Sequence, residues 1–392
     1  MIWAVLLVEV GTPMVTASLM DHFADLADPR VERTRWHSLI DIVSITICAV
    51  ICGADTWVDV ALFGRSKEAW FRQWLELPNG IPSHDTFGRV FAMLDAEEFA
   101  GCFRRWVAAV QETIKGQVVA IDGKSVRASR DRTTGKGAIH LVSAWASSNH
   151  LVLGQVKVDD KSNEITAIPE LLRLLSLKGC IVTIDAMGCQ KAIAQEIVEK
   201  KADYVLAVKS NQGELYEGLK DLFQTALHYQ FRDVPYSHED SLDKDHGRIE
   251  SRECWAISDP ECLAYLEQAK QWPGLVSVAM VRRQRRLMGQ QDSQGEVETA
   301  YYITSLKADA EKILAATRTH WSIENSLHWT LDVAFDEDRC RVRVGNGAQN
   351  LALLRAFALS LLKRDTLVKA GIKAKRKVAG WDSGYLVRLI SQ

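Results

Sequence analysis

Apolar residues recur at three- and four-residue spacing from about residue 36 to 114, first in HSLIDIVSITICAVICG and then in WVDVALFGRSKEAWFRQWLEL. That spacing gathers them on one face of an α-helix, so both segments are expected to be helical. LPNGIPSHD, with two prolines and a glycine, interrupts the pattern. Ser83 or Asp85 can cap the next helix, TFGRVFAML, and AEEFAGCFRRWVAAVQETI makes a further helix. Helix, short turn, short helix is the outline of a helix-turn-helix. An ordinary helical bundle needs the same spacing, and Trp70, Trp74, Phe87 and Phe91 call for burial. Both readings stand. Under the first, Arg89, Arg104 and Arg105 are candidate contacts to a nucleic acid.

From Gln117 the pattern changes. QVVAIDGKSV, IHLVSAWAS and LVLGQVKV are short, apolar and rich in β-branched residues, and are expected to be three successive strands. EITAIPELLRLL follows as a helix, CIVTIDAM as a strand, CQKAIAQEIVEKKA as a helix and DYVLAVK as a strand. Three strands followed by alternating helix and strand is the order of a ribonuclease-H-like α/β fold, in which the first and fourth strands are neighbours. A segment from about 211 to 308 has a different character. RIESRECWAI, LVSVAMVRRQRR and VETAYYITSL are short and β-rich, and are expected to form an insertion before the strongly helical HWSIENSLHWTLD. The expected organisation is an extension over 1–27, a helical domain over 28–114 and an α/β domain over 117–392.

Three acidic residues stand out within that frame. Asp122 ends the run Val118–Ile121 and precedes Gly123-Lys124-Ser125, and Asp185 ends Ile181–Ile184 and precedes Ala186-Met187-Gly188. Each aspartate alone is often no more than a turn residue at a strand end. Two of them at the ends of adjacent strands are a stronger signal, and Glu324 on the later helix supplies a third carboxylate. Such a set suits two hard divalent cations, Mg²⁺ or Mn²⁺, which take oxygen ligands and keep positions open for phosphate. Gly123 allows close approach of a ligand to the backbone, and Lys124 can meet a phosphate as a point charge. His320, Glu324, His328 and Asp332 recur in steps of four, near one helix face. They read as a separate metal site, as a solvated face, or as histidines that position Glu324 or contact phosphate; the last is preferred. Trp321 and Trp329 are expected to pack into the core.

Composition narrows the picture less. The chain has 392 residues, 47% of them apolar, and a net charge of −2. That balance is not the bulk signature of a nucleic-acid binder, so only local clusters could serve. Arg282–Arg286 and the group Lys363, Arg364, Lys369, Lys373, Lys375, Arg376 and Lys377 are two, and each alone reads as a solvated loop or tail. Eight cysteines without C-x-x-C spacing argue against zinc and fit reduced thiols in the cytoplasm. No apolar stretch reaches the roughly 18 residues of a membrane span. The apolar opening MIWAVLLVEV lacks the basic start of a secretory signal, and is read as an extension with little structural role.

Four strings in order, AIDGKSVRAS, TIDAMGCQKAIAQEI, DHGRIESR and HWSIENSLHWTLDVAFDED, resemble the DDE-class transposases of bacterial insertion sequences, most closely the ISAs-type branch with the H-repeat-associated proteins. The resemblance covers about Asp28 to Ile390. It implies a ribonuclease-H-like catalytic core carrying a β-rich insertion. It maps Asp122, Asp185 and Glu324 onto the catalytic, metal-binding triad. It also implies double-stranded DNA as partner, at both element ends and target, a homodimer in the DNA complex, and no membrane. Lys124, His246, Arg248, His320, Asn325 and His328 become candidate DNA-binding residues. The wider family carries a tyrosine and an arginine upstream of its glutamate. Here Thr317 and His320 hold those positions, with Arg318 two residues away. A catalytically inactive or domesticated DNA-binding remnant is the alternative, and a hydrolase of small phosphoesters a third reading.

Overall fold

The computed structural model describes residues 19–110, 116–131, 133, 135–159, 162–245, 247–287 and 297–391. Its centre is a nine-stranded sheet formed by β1 (Val118–Ser125), β2 (His140–Ala146), β3 (Leu151–Lys157), β4 (Ile181–Ile184), β5 (Asp203–Val208), β6 (Tyr236–Asp245), β7 (Arg248–Ile257), β8 (Ser277–Leu287) and β9 (Val297–Thr304). Their order across the sheet is β3-β2-β1-β4-β5-β9-β8-β7-β6. The first five give the ribonuclease-H-like core. β1 and β2 are antiparallel, β2 and β3 likewise, and β1, β4 and β5 run parallel. β2, β3 and β4 are buried almost throughout, which is why they read as continuous apolar runs rather than as alternating ones. The β1–β4 register pairs Ile121 with Ile184, so Asp122 and Asp185 lie side by side one residue later; β4 ends there as expected, but β1 runs on past Asp122 to Ser125, still paired with β2.

The segment over 211–308 is more than a run of short strands. It opens with a 16-residue helix, Gly213–His228, whose Leu215, Leu219, Phe223 and Ala226 are buried. Its four strands form no second sheet. β9 pairs antiparallel with β5, Val205 opposite Thr304, and β8, β7 and β6 continue outward from it. One sheet therefore carries the strand-end aspartates and the arginine-bearing strands β7 and β8.

The N-terminal helices are Leu39–Ile51, Trp57–Ser66, Glu68–Phe71, His84–Met93 and Ala96–Val110, and Ser83 does cap the fourth by accepting a hydrogen bond from Thr86 N–H. Phe87 and Phe91 are buried, Trp70 and Trp74 partly so, and Arg89 projects outward from the His84–Met93 helix. Arg104 is instead paired with Glu97, and Arg105 donates to the His22 carbonyl at 2.8 Å. These helices share one core with helices Gly347–Arg364, Ile372–Trp381 and Ser383–Ile390 from the far end of the chain. Trp106 packs edge-on to Phe357 at 4.5 Å, and Asn350 donates to the carbonyls of Phe91 and Leu94 at 2.9 and 3.1 Å.

Two expectations change here. Of the presumed N-terminal extension, residues 1–18 lie outside the described residues, but Leu19, Met20 and Phe23 are buried, with Phe23 edge-on to Phe103 at 4.9 Å. Nor is the C-terminal basic group a solvated tail throughout: Lys369, Lys373 and Lys377 are exposed, but two members are not. Lys375 and Arg376 are buried, and Arg376 donates to the carbonyls of Val50 and Ala54 and to the Asp55 carboxylate at 3.0, 3.3 and 2.9 Å. These charges hold helix ends together, where unpaired carbonyls need donors. No helix among the described residues is long and apolar enough to cross a membrane.

Candidate active site

The three carboxylates are brought together. Asp122, Asp185 and Glu324 line one cavity of about 420 Å³ beside Asp122 of β1 and at the ends of β4 and β5, with Thr183, Tyr302, His320 and Trp321 also in its wall. Asp185 is fixed as the cap of the short Ala186–Gly188 turn, its Oδ1 accepting from the N–H groups of Met187 and Gly188 at 3.1 and 3.3 Å. The modest role of a turn residue and a role in the site are thus compatible. Glu324 follows helix Ala310–His320 on a π-helical turn, Ile323–His328. Wider turns of this kind occur mostly at functional sites, because they re-aim side chains that a regular helix would bury or expose.

Electrostatics fit a site that wants cations. Burial pushes the Asp122 carboxyl up to about 7; the Gly123 N–H opposes this, and Glu164, Asp185 and Glu324 add like-charge repulsion in the same direction. A divalent cation among these oxygens would relieve both the desolvation and the repulsion. Among the described residues, no group of three or more His, Cys, Asp or Glu side chains is already arranged to hold a metal ion. The donor set, carboxylate oxygen throughout, suits a hard cation.

The histidines face the sheet. His320 Nδ1 lies 3.1 Å from Thr183 Oγ1, and burial lowers its pKa. His328 Nδ1 lies 3.5 Å from Asp122 Oδ2; burial, with Lys124 and His140 nearby, pushes its pKa down to about 4, so it is neutral at physiological pH. Both sit against the strands that carry the aspartates, His320 on Thr183 and His328 on Asp122. Lys124 is also employed differently than expected. Its ammonium bonds Asp332 Oδ1 at 2.5 Å and Glu337 Oε2 at 2.7 Å. Burial opposes its charge, but Glu337 and Asp332 outweigh that and raise its pKa. The lysine ties β1 to the end of helix Trp329–Phe335 and leaves no ammonium free for phosphate.

His246 lies outside the described residues, and Arg248 is exposed at the start of β7, outside the walls of the cavity. Asn325 is exposed on the rim of an adjoining groove. Trp321 and Trp329 do not pack into the core: they are 51% and 61% exposed, because the buried stripe of this segment is Ile323, Leu327 and Leu331, which leaves both tryptophans facing out.

Sequence reading missed that groove. It holds about 490 Å³ and shares Glu298, Ala300, Tyr302, Thr317 and Trp321 with the carboxylate cavity. Arg252, Arg283, Arg285 and Arg318 line it. Glu250 Oε1 stands 2.9, 3.7 and 3.4 Å from Arg252, Arg283 and Arg285, and Arg318 pairs with Asp243 at 2.7 Å. The Arg283 guanidinium sits 5.6 Å from the centroid of the Trp321 ring. The signal was present in VRRQRR: as a strand and not a loop, it puts Arg283 and Arg285 on one face, opposite Arg252 and Glu250 in the register.

Comparison with known proteins agrees with the topology. Residues 114–361 match the family described as Transposase DDE domain, and residues 20–107 the one described as DDE_Tnp_1-associated. The "Putative transposase YncI" of Escherichia coli O157:H7 is 40% identical over 96% of this chain and 95% of its own length. The "H repeat-associated putative transposase YhhI" of Escherichia coli (strain K12) is 39% identical over 96% of this chain and 99% of its own. Among solved structures, a piggyBac transposase synaptic complex with hairpin DNA aligns at TM-score 0.42 and 13% identity over 92% of this chain and 75% of that one, too distant to carry argument. The three strand-end and helix carboxylates, the ribonuclease-H-like strand order and these matches over most of the sequence converge: the chain belongs to the DDE transposase family, alongside the H-repeat-associated proteins.

Proposed function

We propose that this chain is an active transposase that cuts DNA at the ends of an insertion sequence and joins the freed ends to a target. The observation that carries the reading is the single cavity lined by Asp122, Asp185 and Glu324, continuous with a groove of four arginines. Asp122, Asp185 and Glu324 would hold two Mg²⁺ or Mn²⁺ ions. When bound, such ions lower the cost of charge at the attacking and leaving oxygens of an in-line displacement. The chain's own residues do the rest. His328 and His320 fix Asp122 and the Glu324 turn against β1 and β4, Lys124 docks the following helix, and Arg252, Arg283, Arg285 and Arg318 take the phosphates of the strand that leads into the cavity.

In the first step a water oxygen bonds to the scissile phosphorus and the bond to O3′ breaks. The water gives up a proton and the departing oxygen gains one, leaving a 3′-OH and a 5′-phosphate. In the second, that 3′-OH attacks a target phosphodiester in the same way. An element has two ends, so two copies of the chain would present one cavity to each, in the cytoplasm where bacterial DNA lies. The test is incubation of the purified chain with duplex DNA carrying its own flanking ends and Mg²⁺, scored for nicks with a 3′-OH. Nicks in the wild type and none in Asp122→Asn support the proposal. DNA binding without nicks in either makes the chain a DNA-binding remnant.

A further inference from the structure

A fourth carboxylate stands beside Asp122. Glu164 is the first residue of helix Glu164–Leu174, which Asn163 caps. Its Oε1 lies 2.6 Å from His140 Nε2, and His140 Nδ1 lies 2.8 Å from Ser125 Oγ. His140 and Ser125 are register partners on β2 and β1, so two adjacent strands aim the pair. What brings it close to Asp122 is Gly123. A Cβ at that position would collide with Glu164 Oε1 and lie 2.6 Å from His140 Nε2. The glycine between the catalytic-type aspartate and Lys124 is therefore a cradle filled by a carboxylate and an imidazole.

Two further features point to a ligand at this spot. His328, only 8% exposed and beside Asp122, has no hydrogen-bond partner for its Nε2. A buried polar atom left unpaired in a site is expected to meet a ligand or water. The His140–Glu164 pair also borders an open cavity of about 530 Å³ whose wall includes Met187, two residues beyond Asp185.

We propose that Glu164, held by His140 on the Gly123 cradle, is a fourth carboxylate of the reaction centre and shares with Asp122 the holding of a divalent cation. His140 is its positioning residue. The inference rests on the reading of Asp122, Asp185 and Glu324 as cation ligands. It adds to that set from the opposite side, because Glu164 comes from the helix after β3 and Glu324 from the helical segment after β9. A fourth anionic ligand near Asp122 would help two cations stay bound before DNA arrives, with water in the positions left open for phosphate.

The experiment titrates the full-length chain with Mn²⁺, reads free Mn²⁺ by electron paramagnetic resonance, and compares wild type with Glu164→Gln and His140→Ala. Glu164→Gln should lose one bound ion or weaken binding about a hundredfold, and His140→Ala should weaken it about tenfold, the lower end of the range for metal-supporting residues. Melting in EDTA checks folding. If Glu164→Gln does not melt cooperatively, Glu164→Asp decides. It keeps the charge and withdraws it by one methylene, so weaker Mn²⁺ binding supports the inference and an unchanged titration overturns it. A folded Glu164→Gln chain that matches wild type in number and affinity of bound ions overturns it, as does a wild type that takes up no Mn²⁺ at millimolar concentration. The readout is independent of cleavage. A chain that binds Mn²⁺ as described but never nicks its ends refutes the transposase proposal and leaves the four-carboxylate centre in place.

Discussion

Replacing Asp122 with Asn should stabilise the metal-free protein while abolishing cleavage. The folded-state carboxyl titrates near 7 instead of 3.8, so folding favours its protonated form. A carboxyl raised in this way contributes stability that is full at low pH and is lost as pH climbs from the ordinary carboxylate range through about 7. The interval from 3.8 to about 7 corresponds to an upper limit of ~4 kcal/mol. The Asp122 side chain is 29% exposed, so solvent screening reduces this, to about 2 kcal/mol. Asn keeps the shape and has no charge to desolvate. Melting in EDTA at pH 8 should therefore find Asp122→Asn above wild type by ~2–4 °C, allowing for the large unfolding entropy of a chain this long. At pH 5 most of the gap should close, because the folded wild type then holds its proton. Millimolar Mg²⁺ at pH 8 should reverse the order, raising the wild type and not the variant. Asp122→Asn melting at or below wild type at pH 8 in EDTA, or an advantage of equal size at both pH values, would refute the electrostatic reading of the cavity.

Two further outcomes follow from the same geometry. Lys124→Met should cost about 3 kcal/mol, because it strands Glu337, whose side chain is 2% exposed, and Asp332 without a cation, and it should slow nicking while leaving the salt dependence of DNA binding unchanged; a shallower salt slope would return Lys124 to the phosphate path. Arg283→Ala should weaken duplex binding and reduce the salt slope by about one phosphate, more than Arg248→Ala, which lies away from the groove; equal effects of the two in competition binding would move the DNA path out along β7.

The parts of this molecule that were legible in sequence are those where burial dictates residue type. Val118–Ile121 and Ile181–Ile184 are apolar because both faces of β1 and β4 are covered, and the aspartates that end them were visible as breaks. β6, YSHEDSLDKD, was not visible, because the outermost strand of a sheet alternates nothing apolar against a core. The Gly213–His228 helix did carry helical spacing, but it was absorbed into a segment judged by its strands. Charges were the least legible. Lys124 next to an aspartate looks the same in sequence whether it meets a phosphate or, across more than 200 residues, Asp332 and Glu337. Arg376 looks like part of a basic tail until Val50, Ala54 and Asp55 are placed around it. The tryptophans on either side of Glu324 do share a helix face, as their spacing implies, but spacing does not say which face is covered, and Ile323, Leu327 and Leu331 take the core side. Glu164 gave no signal, since nothing in NEIT distinguishes a helix's first residue from a carboxylate aimed back at β1.

A net charge of −2 looked like evidence against DNA, and the distribution of charge shows why it is the wrong variable. A phosphate responds to charges within about 8–10 Å, beyond which salt screens them. Several basic residues never reach the surface: Arg355, Lys375 and Arg376 are spent on carbonyls and carboxylates inside the fold, and Lys124 on Asp332 and Glu337. What a strand would meet is Arg252 on β7, Arg283 and Arg285 on β8 and Arg318 on helix Ala310–His320, then the adjoining cavity of carboxylates. The four arginines exceed their partners Glu250, Asp243 and Glu298 by one charge, so under the proposed function the groove would draw the backbone in and the cavity would repel it. Under the proposed function, cations held by those carboxylates would turn the second surface into one that accepts a phosphate, so the same groups that would drive the displacement would also withhold the scissile bond until cations are in place. Coupling of this kind ties DNA docking at the cavity to cation binding through charge alone, with no moving part required.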